Sequence, residues 1–173
     1  MILAVNVILL QFLNWMSYGV DGFAYATESL VGKYKGANLP IQLKDTIRLN
    51  FMWGMLLAVF FSLLYWLLGE QLLWVFTDQV DVVEASKAYL KWMVLLPIIG
   101  TPCYIWDGVF IGLIAGKAMR NTMLLAVGIY LFSFWLVPSS WGNHGLWLVL
   151  LVFMFARGFL QSIWFWLKHE NLR

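Results

Sequence analysis

Charge is scarce in this chain. Only 12% of its 173 residues are Asp, Glu, Lys or Arg, about half the share usual in a soluble domain. Cysteine is scarcer still: the single Cys103 excludes an internal disulfide and any cysteine-based metal site. The two histidines, His144 and His169, fall in a turn and near the end of the chain, and neither is placed as a metal ligand. There is no HExxH or GxSxG, no P-loop and no basic arm for nucleic acid. Nothing therefore predicts an enzyme, a resident cofactor or a nucleic-acid partner.

What is abundant is apolar. The chain is 62% hydrophobic, with eleven Trp and thirteen Phe, and aromatics gather where membrane helices meet water. Five hydrophobic segments predict a multi-pass, all-α integral membrane protein. They are expected at about residues 2–31, 46–68, 87–114, 122–137 and 145–167, in a single membrane domain covering 1–173. Each approaches the roughly 20 residues a span needs, the fourth only just. Backbone groups in lipid must be satisfied internally, so the segments are helices. Gly32, Lys33, Lys35 and Gly36 are expected to close the first, and Gly69 and Glu70 to end the second. Pro97, Gly100 and Pro102 are expected to interrupt the third. The first segment is too long, and too polar along one face, for a signal peptide.

If all five segments cross, eight of the eleven Lys and Arg lie on one side: Lys33, Lys35, Lys44, Arg48, Lys117, Arg120, Lys168 and Arg173. The other side carries Glu70, Asp78, Asp81 and Glu84, with Lys87 and Lys91 as exceptions. The positive-inside rule then puts the C-terminus in the cytoplasm. Met1 leads straight into a membrane segment and the number of spans is odd, whereas transporters are commonly built of paired repeats. The expectation is a C-terminal piece of a longer protein.

The first segment is the informative one. Gln11, Asn14, Tyr18, Asp21, Tyr25 and Glu28 share one helical face. An ionisable side chain in hydrocarbon costs roughly 3 kcal/mol, so this stripe is expected against protein or a wet cavity. Asp21 lies about 7 Å from the bilayer centre and Glu28 about 17 Å. For Asp21 a proton- or cation-binding carboxylate stands beside a structural carboxylate; for Glu28 the plainer readings are water or a pair with Lys33 or Lys35. Arg157, central in the fifth segment, needs a counter-charge or a cavity. Asp107 is the first expected partner and Asp21 the second. Gly108, Gly112 and Gly116, spaced by four, predict close helix packing. Trp15, Tyr18, Tyr25, Tyr104 and Trp106 can line a pocket for planar cations, anchor at the interface or simply pack.

The stretch AVNVILLQFLNWMSYGVDGFAYATESLVGKYKGAN resembles the C-lobe of the multidrug and toxic compound extrusion (MATE) transporters, within them the DNA-damage-inducible protein F branch. Three further blocks match in order: LLYWLLGEQLLWVFT, YLKWMVLLPIIGTPCYIWDGVFIGLIAGKAMRN and WGNHGLWLVLLVFMFARGF. The resemblance implies that the five spans correspond to helices 8 to 12 of a twelve-helix fold, with the N-terminal lobe and helix 7 lying outside this sequence. It also implies a cytoplasmic (inner) membrane antiporter that exports organic, often cationic or aromatic, compounds in exchange for protons or sodium ions. Acidic residues in helices 8 and 10 serve some members, and Asp21, Glu28 and Asp107 fall in those helices. In several bacterial members the coupling acid lies in the other lobe. A lipid-linked oligosaccharide flippase of the same superfamily and a non-transporting truncated product are the alternatives. Against the flippase, a diphosphate calls for several central cations, and only Arg157 is central here.

Overall fold

The computed structural model describes residues 1–168. His169 and Arg173, which entered the histidine and charge readings, lie outside the described residues. The elements are α1 (Ile2–Gly36), α2 (Pro40–Phe76), α3 (Val80–Lys87), α4 (Leu90–Gly112), α5 (Gly116–Leu136) and α6 (Gly142–Lys168), with a 3-10 turn at Ser139–Trp141. All except the short α3 are long and apolar enough to cross a membrane. The fold is the expected all-α membrane bundle, with no strand among the described residues.

Several boundaries differ from the sequence-based ones, each for a physical reason. Helix α1 runs through Gly32 to Gly36, with Lys33 and Lys35 in its last turn, where cations complement the helix dipole. It stops at Asn38, whose φ of 55° is one of the few left-handed conformations a non-glycine residue accepts readily. Leu39 N–H then reaches back to Tyr34 O at 2.9 Å. Pro40 opens α2, a position where its missing N–H costs nothing. Helix α2 passes through Gly69 and Glu70 rather than ending there. Gly69 serves packing: a Cβ on it would sit 3.3 Å from the Leu90 side chain. With 35 and 37 residues, α1 and α2 are each over about 50 Å long and overshoot a roughly 30 Å hydrocarbon core. Lys87 belongs to α3, not to the third span.

The prolines do not interrupt α4. Pro97 and Pro102 lie inside one continuous helix. The Val94 carbonyl, one turn before Pro97, accepts a 2.7 Å hydrogen bond from Ser62 Oγ of α2. This bond ties α2 to α4 beside the proline, although the carbonyl that Pro97 deprives of its N–H donor is that of Met93.

Helix α4 is the core of the bundle, with α1, α2 and α6 packed around it, while α5 packs chiefly on α6. The α1–α4 contact is the tightest. A Cβ on Gly108 would lie 2.2 Å from Ala24 O, and one on Gly112 2.6 Å from Glu28 O. Both glycines act as their spacing predicts. Gly116 does not join them: it starts α5 and has open space around it. At the opposite end, Asn6 and Asn143 exchange two 2.8 Å hydrogen bonds between α1 and α6. Trp147 Nε1 also donates to Asn6 Oδ1, and Trp92 Nε1 donates to His144 Nδ1 at 3.0 Å. Tyr65 Oη donates to Phe12 O at 2.6 Å, fixing α2 to α1.

Candidate functional site

Two close approaches build the site. Gly108 lets α1 come down on α4, which places Asp21 on the flank of the Asp107 turn. Gly158, beside Arg157, lets α6 come down on the other flank: its missing Cβ would stand 3.3 Å from Cys103 N and 3.4 Å from Pro102 Cβ.

Arg157 Nη2 donates to Asp107 Oδ2, an ion pair between α6 and α4 with each side chain only 16% exposed. Gln161, one turn further along α6, donates from Nε2 to Asp107 Oδ1 at 2.8 Å. Both carboxylate oxygens are thus engaged by one helix, through residues four apart. The first expected partner of Arg157 is the one the structure supplies; Asp21 is not bonded to it. Asp21 nevertheless lies within electrostatic range of both Asp107 and Tyr104.

Polar capacity remains unspent beside the pair. Arg157 Nε and Gln161 Oε1 are buried, and neither has a hydrogen-bond partner among the described residues. Native structures rarely leave such atoms unpaired without a cause, and ligand contact is one.

The stripe on α1 is only partly enclosed. Asn14, Asp21 and Glu28 are half-buried, but Tyr18 and Tyr25 are 73% and 69% exposed. Of the two expected surroundings, protein or a wet cavity, protein covers only part of the stripe within the described residues, because no described helix packs over this face of α1. Glu28 makes no ion pair with Lys33 or Lys35 among the described residues; Lys35 Nζ instead donates to Leu113 O. Trp106 is buried, with its Nε1 donating to Ser162 Oγ at 2.7 Å. Trp15 packs edge-on against Phe76. Gln161 had no place in the sequence-based site. Its only signal was its place one turn after Arg157.

A family model described as MatE matches residues 1–138. DNA damage-inducible protein F of Escherichia coli (strain K12) is 39% identical over 165 residues, which make up 94% of this chain and 36% of that protein. The chain thus spans about a third of the length of that relative. No solved structure matches.

Proposed function

The chain belongs to the MatE family of membrane transporters, and from that premise we propose that it forms part of a cation-coupled antiporter that exports organic compounds. The coupling ion is a proton or sodium. The chain supplies the equivalent of helices 8 to 12 and works with an N-terminal lobe and helix 7, in the cytoplasmic membrane with its C-terminus inside.

The observation that carries this reading is the cluster of Asp107, Arg157 and Gln161, held within the membrane-spanning part of the bundle with a donor and an acceptor to spare. A cation arriving at Asp107 competes with Arg157 for one carboxylate. Proton uptake neutralises that carboxylate and loosens its hold on the guanidinium, which then needs another partner. Asp21 supplies a second negative charge in range. Tyr18 and Tyr25 offer ring faces on the open side, suited to planar or cationic compounds. The flippase reading draws less support, because the central arginine is already engaged by Asp107.

The test uses the full-length transporter that contains this chain, in inverted vesicles loaded with a fluorescent organic cation. Asp21→Asn and Asp107→Asn are expected to abolish most gradient-driven transport while membrane insertion stays normal. Unchanged transport in both variants would remove the coupling role. Vesicles holding only these 173 residues are expected not to transport, since alternating access needs two bodies to move against each other.

A further inference from the structure

Helices α2 and α6 both pack on α4 but hardly on each other. Between them lies a cleft of about 390 Å³. Its walls are apolar, formed by Ile47 and Phe51 of α2, Trp106 of α4 and Trp166 of α6. Ser162 also lines it, but its hydroxyl is committed: it accepts from Trp106 Nε1 at 2.7 Å and donates to Gly158 O at 2.8 Å. The interior therefore offers little to a polar ligand.

The mouth is different. Lys44 and Arg48, four residues apart on α2, stand on one face of the helix at the edge of the cleft. Both are exposed, and neither forms an ion pair with any described residue. Asp45, between them in sequence, lies about 100° around the helix from Lys44 and about 60° from Arg48, and it forms an ion pair with neither. The cleft opens within two turns of the start of α2 and beside the last turn of α6. That is the depth at which lipid phosphates and interfacial tryptophans such as Trp166 meet.

We propose that this cleft binds one anionic phospholipid of the adjacent leaflet, with its phosphate on Lys44 and Arg48 and an acyl chain lying along Phe51 and Trp106. Two cations without an ion-pair partner among the described residues, above an apolar slot, match a lipid's two ends better than they match a small hydrophilic anion. Basic pockets between membrane helices are the usual recognition device for such headgroups. A covering protein segment would need its own carboxylate at the mouth. The site has a structural consequence. Trp106 and Ser162 are the chain neighbours of Asp107 and Gln161, so the occupant rests on the same α4–α6 contact that holds the ion pair. The proposal stands independently of which ion or compound is transported.

The test uses purified protein, both this chain and the full-length transporter, in a neutral detergent. The probe is phosphatidylglycerol with a photoreactive diazirine in one acyl chain; phosphatidylcholine with the same chain and soluble glycerol 3-phosphate are the comparisons. Phosphatidylglycerol is expected to label peptides containing Phe51 and Trp106, and excess phosphatidylcholine is expected not to compete. Replacing Lys44→Gln and Arg48→Gln together should weaken binding roughly 25-fold, about fivefold per cation. The charge-preserving pair Lys44→Arg and Arg48→Lys should retain it. Equal labelling by the two lipids, or an unchanged affinity in the Gln variant, overturns the proposal. So does effective competition by glycerol 3-phosphate, which would mark a free-phosphate site. Labelling of this chain but not of the full-length protein overturns it too, since another segment then fills the cleft.

Discussion

Asp107 and Arg157, 50 residues apart in the chain, meet as an ion pair between α4 and α6 in the interior of the membrane-spanning bundle. Each alone would be an uncompensated charge in a poorly solvated place. Together, with Gln161 on the second carboxylate oxygen, they are nearly satisfied. Removing one partner of a buried pair costs about 3–5 kcal/mol, whereas an apolar replacement of both is often neutral. Asp107→Leu and Arg157→Met are each expected to lower thermal stability in detergent strongly, and the double variant is expected to recover most of the loss. A double variant no better than the worse single one would show that the pair is not what stabilises this contact.

The α1–α4 seam gives a second test. Gly108→Ala puts a methyl 2.2 Å from the Ala24 carbonyl oxygen, and a backbone atom in a packed seam cannot step aside. The expected cost is about 3 kcal/mol or more. Gly116→Ala, from the same four-residue spacing but with open space around it, should change stability by less than about 0.5 kcal/mol. Unfolding of the two variants side by side separates close packing from helix propensity.

The number of spans, the glycine seam and the Arg157 partner were legible in the sequence for one reason. In lipid, a charge or an extra methyl in the wrong place costs so much that few arrangements remain. Helix ends were less legible. Gly69 looks like a stop signal, and only its contact with Leu90 reveals a packing role. The polar ties that set the helices relative to one another were not legible at all. Ser62 to Val94, Tyr65 to Phe12 and Trp147 to Asn6 join residues 32, 53 and 141 positions apart, and no periodicity encodes such pairings. The stripe from Asn14 to Glu28 shows the limit most plainly: periodicity identifies a face but not what covers it.

Lys87, an exception to the charge asymmetry, is held by two acids, Glu84 at 2.7 Å and Glu70 at 3.3 Å. The hydrogen bonds it donates, to Glu84 first and Glu70 second, push its ammonium pKa above the ordinary value, which is about 10.4. A folded-state pKa raised in this way contributes stability that is complete below the unfolded value and disappears as pH climbs through the folded one. The attachment of α3 to α2 should therefore be flat from neutral pH to about pH 10 and loosen only above that. The effect is small because the group meets solvent. A spin label on Asp81→Cys reads the mobility of α3 directly. Loosening between pH 6 and 9, or an unchanged profile in Lys87→Gln, would contradict this account.

The last prediction concerns the turn between α4 and α5. Ile114 has φ 52°, a conformation in which a β-branched side chain is a true outlier. Its side chain is 88% exposed, so burial offers little in return. The turn is otherwise well bonded: Ala115 N–H reaches Phe110 O at 2.9 Å, and Lys35 Nζ donates to Leu113 O. These contacts hold Ile114 where it is. The turn after α1 solves the same problem with Asn38 at φ 55°, a residue that tolerates the left-handed region. Ile114→Asn should therefore raise stability by about 0.5–1 kcal/mol, since the left-handed conformation costs an ordinary residue roughly 1–2 kcal/mol. Ile114→Gly should gain less, because glycine loses more backbone entropy on folding. Ile114→Pro should be strongly destabilising, as its ring fixes φ near −65°. Thermal unfolding of the three variants in one detergent ranks them, and an Asn variant less stable than the parent would show that the Ile114 side chain makes a compensating contact.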